Sequence, residues 1–161
     1  MKDHKFNLII WFSLILITLA VASIDVMMFK VNLIHPEDEP VVTSIVFNDV
    51  WYKISIILFL VPALLSYYVN KKIHEVFLII LAGMILIFFG LEDVLYFLIR
   101  MIFIPNGSYT FMIGPFNFMP QILPWLNSNI CITIFGNPVT PFVLFKSTAF
   151  ALAISLALTM I

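Results

Sequence analysis

The sequence predicts an all-α integral membrane protein, a four-transmembrane-helix bundle with a Pro-rich segment between its third and fourth helices. Two observations carry this. Of 161 residues, 63% are hydrophobic and 11% charged, under half the roughly 25% that a soluble domain needs to cover a water-facing surface. The few charges are also segregated: none falls between Lys5 and Asp25, between Lys53 and Lys71, between Glu75 and Glu92, or after Lys146. A helix needs about 20 mainly apolar residues to cross about 30 Å of hydrocarbon. The gaps therefore predict spans near 6–29, 50–69, 75–101 and 142–161 in a single polytopic domain covering 1–161. No stretch alternates with the two-residue period of a membrane β-barrel.

The same composition excludes a soluble globular enzyme, a disordered tail and a disulfide-stapled secreted domain. Eight Lys and Arg against nine Asp and Glu leave a net charge of −1, with no basic stripe to neutralise phosphates, so no nucleic-acid partner is expected. The single cysteine, Cys131, excludes an internal disulfide. His4, His35 and His74 lack any metal-ligand spacing, and no Gly-x-x-x-x-Gly-Lys loop is present. No metal and no cofactor are expected.

The first span has two readings. A basic start, an apolar run over 8–19 and Ala20-Val21-Ala22 together have the form of a secretory signal peptide over 1–22. The apolar character continues through Val26-Met27-Met28-Phe29, longer than such a leader requires, which favours a retained span. The loop 31–48 carries Glu37-Asp38-Glu39 and reads as a solvated acidic loop. Lys2 and Lys5 precede the first span, and Lys71-Lys72 sit in the tight connection between the second and third. The positive-inside rule then puts both chain ends in the cytoplasm of a multi-pass cell-membrane protein.

Residues 102–141 are the least ordinary part of the chain. All 45 residues between Arg100 and Lys146 are uncharged, yet they hold six of the nine prolines. Proline breaks helices, and broken backbone cannot face lipid with unpaired amides. This stretch is expected to form a cap, either interfacial or re-entrant. Within it a short helix near 120–127 is predicted, bearing Trp125 at headgroup depth and Asn127, with an extended piece over Ile130–Phe135.

Ionisable residues inside spans are costly and mark function by default. Asp25 and Glu92 fall near the outer ends of their helices, where Asp49, Asp93, Lys30, Lys53, Arg100 and Lys146 join them. Four negative and four positive charges thus form one self-cancelling layer. On a continuous third helix at about 100° per residue, Glu92, Tyr96, Arg100 and Asp93 share one face, while Gly83 and Gly90 fall on another suited to close packing. The fourth helix carries two small-residue stripes, Ser147-Ala151-Ser155 and Ala149-Ala153-Ala157.

Gly90-Leu91-Glu92-Asp93-Val94-Leu95-Tyr96-Phe97 resembles the Pro-x-Glu-Glu-x-x-Phe-Phe motif of the small membrane lycopene cyclase domains, with Gly90 in place of the proline. The likeness covers about eight residues. It implies acid catalysis on an isoprenoid, with Glu92 and Asp93 as the catalytic pair.

Three functions fit these features. The first is a binding or accessory membrane subunit with an outward-facing polar layer, partnered by the bilayer and by a hydrophobic ligand, a second copy or another membrane subunit. The second is a membrane enzyme acting on a lipid or isoprenoid through Glu92 and Asp93, supported by Lys53, Tyr96 and Arg100, with Asp25, Trp125, Asn127 and Lys146 as further candidate site residues. The third is a proton- or cation-coupled transporter using Asp25 and Glu92.

Overall fold

A computed structural model describes residues 4–30, 40–103 and 129–161, with side chains for 4–24, 53–96, 98–99, 129–140 and 142–161. The described chain is helical and contains no strand. Its elements are α1 (His4–Lys30), α2 (Pro40–Asn70), α3 (Ile73–Phe88), α4 (Leu91–Phe103), the single turn α5 (Ile130–Thr133) and α6 (Pro141–Met160). The predicted short helix near 120–127, with Trp125 and Asn127, lies outside the described residues.

Three of these helices are long and apolar enough to cross a membrane: His4–Ile24 within α1, Lys53–Asn70 within α2 and Phe142–Met160 within α6. Their outward surfaces are apolar as well. Ile9, Phe12 and Leu16 on α1, Ile57, Val61 and Leu64 on α2, and Phe142 and Phe145 on α6 recur at helical spacing and are exposed. Contiguous apolar surface of this kind belongs in lipid. The chain is a helical membrane bundle.

Local sequence explains the helix limits. Neither glycine nor proline interrupts α1. Pro40 opens α2, where its missing N–H costs nothing. Thr140 caps α6 by accepting from the Val143 N–H at 3.3 Å, with Pro141 in the first turn. Asn129 caps α5 through its side-chain oxygen, which accepts from the Cys131 and Ile132 amides at 3.0 and 3.4 Å. That cap turns Ile130–Thr133 into helix where an extended piece was expected.

The continuous third span expected over 75–101 is corrected. Phe89 and Gly90 break it into α3 and α4, and Gly90 adopts a φ of +90° that side-chain-bearing residues rarely take. The α3 segment has 16 residues, about 24 Å of helix. The face shared by Glu92 and Tyr96 survives because both lie on α4, whereas no helical register runs from Gly83 to Glu92.

Two cores follow. The larger joins Ile10 and Leu14 of α1, Phe59 and Ala63 of α2, Ile79, Ala82 and Leu86 of α3, and Ala151 of α6. Helices in lipid gain little from hydrophobic burial and associate by close packing. Gly83 shows this: a Cβ there would sit 2.6–2.8 Å from Phe59 ring atoms, so only glycine lets α2 and α3 approach. Across the bundle the Trp11 indole N–H donates to Ser155 Oγ at 2.9 Å, linking α1 to α6. The smaller core, beyond the break, gathers Ala22, Tyr96, Ile132, Val139, Val143 and Leu144.

The beginning of α1, the α2–α3 turn and the end of α6 meet at one end of the bundle. Asn7, Ser66, Glu75, Thr159 and Ile161 border one crevice there, about 10 Å³ in volume, enough for about one water molecule.

Candidate functional site

The site is built around the break between α3 and α4. Ending a helix beside the packed bundle frees part-buried carbonyls, which are best satisfied by nearby donors. Side chains distant in sequence supply them. Asn129 Nδ2 donates to the Phe88 carbonyl at 3.1 Å, and Ser147 Oγ donates to the Phe89 carbonyl at 2.8 Å. Asn129 thus serves two helices, its amide nitrogen closing α3 while its amide oxygen starts α5. The Val94 N–H reaches back to the Gly90 carbonyl at 3.1 Å, so α4 begins immediately after the break.

Glu92 and Asp93 occupy the first turn of α4. They are 9% and 7% exposed, and Tyr96, one turn on, is 2% exposed. Each of the three is engaged by a neighbour. The free N–H groups of a helix start carry partial positive charge, so carboxylates in this turn complement it. A single helical turn therefore brings together an acid pair and a buried phenol, on a helix that lies mainly against α1, with Tyr96 packed on Ala22, Ile132 and Leu144.

The other predicted site residues are placed differently. Lys53 is exposed on α2. Lys146 is exposed on α6, its ammonium 4.3 Å from the Phe142 ring centre. Asp25 lies on α1 and Arg100 on α4, with side chains outside the described set, as are those of Lys30 and Asp49. Trp125 and Asn127 lie outside the described residues altogether. Of the predicted layer, the described residues bring Glu92, Asp93 and Tyr96 together and leave Lys53 and Lys146 on the surface.

A second polar knot, at the opposite end, was not anticipated. Glu75, 8% exposed in the first turn of α3, accepts from Asn70 Nδ2 at 2.7 Å and Ser66 Oγ at 3.2 Å on one oxygen. Lys72 Nζ meets its other oxygen at 3.2 Å. The sequence signal was the four-residue spacing of Ser66 and Asn70 just before a turn that returns an acid onto them. Asn129 and Ser147 had no comparable signal, since their partners lie 41 and 58 residues away.

Among the described residues no group of three or more His, Cys, Asp or Glu side chains is placed to hold a metal ion. Fold and site together define a polytopic helical membrane protein with a discontinuous helix. Comparison of the chain with protein-family models, with curated proteins and with solved structures finds no match.

Proposed function

We propose that the chain is a non-catalytic membrane subunit that binds a hydrophobic or membrane-embedded partner, with the α3–α4 break as its fixed polar layer. The observation that supports this reading is the capping of that break by Asn129 and Ser147. Freed backbone closed by side chains from two other segments makes a rigid, prebuilt junction at the end of an apolar bundle. Glu92 and Asp93 then serve electrostatically, as the complement of the α4 start. In this reading α3 and α4 form one broken crossing, giving four crossings in all. The end bearing Lys5, Lys71 and Lys72 faces the cytoplasm with both chain termini.

A second reading draws on the burial of Glu92, Asp93 and Tyr96 together on the residues that resemble the cyclase motif. Here Glu92 or Asp93 protonates an alkene of a lipid-soluble substrate. The transporter reading needs Asp25, whose side chain lies outside the described residues.

The test is the isosteric pair Glu92→Gln with Asp93→Asn. Wild-type and variant proteins are purified in mild detergent, then compared by thermal unfolding and by native mass spectrometry with lipid extraction. The subunit reading expects a lower unfolding temperature in the variant and no change in the lipid species carried. A variant that unfolds like wild type but retains an isoprenoid that wild type does not overturns it in favour of acid catalysis.

A further inference from the structure

The end of the bundle opposite the break gathers exposed basic side chains. His4, Lys5, Lys71, Lys72 and His74 are all exposed there, on the first turn of α1 and around the α2–α3 turn. These two segments adjoin, because Asn7 of α1 borders the same crevice as Ser66 and Glu75. The one described acid between them is Glu75, and it is buried and held by Lys72, Asn70 and Ser66. Lys72 is thereby committed.

Lys71 is not. Its ammonium lies over the Tyr68 ring, 4.6 Å from the centroid, and meets no carboxylate among the described residues. Tyr68 is itself 73% exposed, and an aromatic side chain beside a cation is the usual furniture of the membrane–water boundary. Lys71 also holds a left-handed backbone, φ 58°. That conformation is nearly free for glycine or asparagine and disfavoured for lysine. The turn therefore keeps a strained lysine where a cheaper residue closes the chain equally well, and its Tyr67 carbonyl still accepts the Lys71 N–H at 2.8 Å.

We propose that this end is a seat for the phosphate of an anionic phospholipid headgroup, with Lys71 as its principal contact. Tyr68 carries the glycerol and upper acyl region, and the exposed apolar faces of α2 and α3 accept the chains. A zwitterionic lipid brings its own ammonium to the same phosphate and gains less. The site rests on the membrane reading but not on the role given to Glu92 and Asp93.

The experiment uses the full chain in nanodiscs and mild detergent. Incorporation into nanodiscs of any composition tests the membrane reading separately. Lipid choice is then read by native mass spectrometry with phosphatidylglycerol and phosphatidylcholine of matched chains. Wild type is expected to retain phosphatidylglycerol preferentially, and Lys71→Gly to lower that preference roughly fivefold, the usual weight of one lysine near an anionic surface. Glycine suits the φ of residue 71, so this variant keeps the turn and the Glu75 contacts, and its unfolding temperature without added lipid should equal or exceed that of wild type. Equal retention of both lipids by wild type, or undiminished preference in Lys71→Gly, overturns the proposal. So does a thermal shift by inorganic phosphate equal to that by phosphatidylglycerol, which would assign the seat to a soluble anion.

Discussion

The two ends of the bundle solve one problem in opposite ways. At the α2–α3 turn a buried acid, Glu75, is held by Ser66, Asn70 and Lys72, all within nine residues of it. At the α3–α4 break two freed carbonyls are held by Asn129 and Ser147, from segments that arrive much later in the chain. The Glu75 knot forms from local sequence alone; the caps of the break form only when α5 and α6 have packed beside it. Local knots tolerate the loss of one member, whereas long-range caps fail together with the packing around them.

That contrast can be broken from the stronger side first. Gly90→Ala places a Cβ 2.5 Å from Leu144 Cδ1 at a φ of +90°, and should cost about 3 kcal/mol, combining backbone strain with overpacking. Thermal or denaturant unfolding in detergent reads it; a loss below about 1 kcal/mol would mean that α3 and α4 can join as one continuous helix. Ser147→Ala comes next. It removes the donor to the part-buried Phe89 carbonyl and should cost about 1–2 kcal/mol, the lower part of the range for one unsatisfied group. The smallest effect belongs to the other end. Lys72→Gln removes an ion pair whose lysine is 44% exposed, and should cost under about 1 kcal/mol, because Asn70 and Ser66 still hold Glu75. A larger loss there than at Ser147 would invert the ranking of the two ends.

The contrast also explains what could be read in advance. Long uncharged runs located the apolar lengths of α1, α2 and α6, although α2 begins at Pro40, inside the stretch read as an acidic loop. Crossing a bilayer leaves few alternatives for a stretch of 20 apolar residues. The break was not foreseen, since Phe89-Gly90 sits inside such a run and hydropathy is blind to backbone angle. Its sequence signature is local: glycine just past a helix end, then Glu92-Asp93 in the opening turn of the next helix. Those acids were singled out for their chemistry, and the structure adds that they mark a helix start. Their closeness to Tyr96 followed from four-residue spacing on one helix. Glu75 served only to bound a span, because an acid at a helix end looks solvated until its partners across the turn are seen. Asn129 could be recognised only once Phe88 was known to end a helix beside it.

The dependence on α6 also carries a consequence for biogenesis. This helix supplies the Ser147 cap for the break, Ala151 for the main core and Ser155 for the Trp11 indole. Until it packs on them, the preceding helices hold the Phe89 carbonyl and the Trp11 indole N–H without these partners. A chain without Pro141–Met160 thus differs chemically from one in which α6 has packed, by two polar groups left without these partners. Insertion of the last helix is the step that turns a string of apolar segments into one molecule.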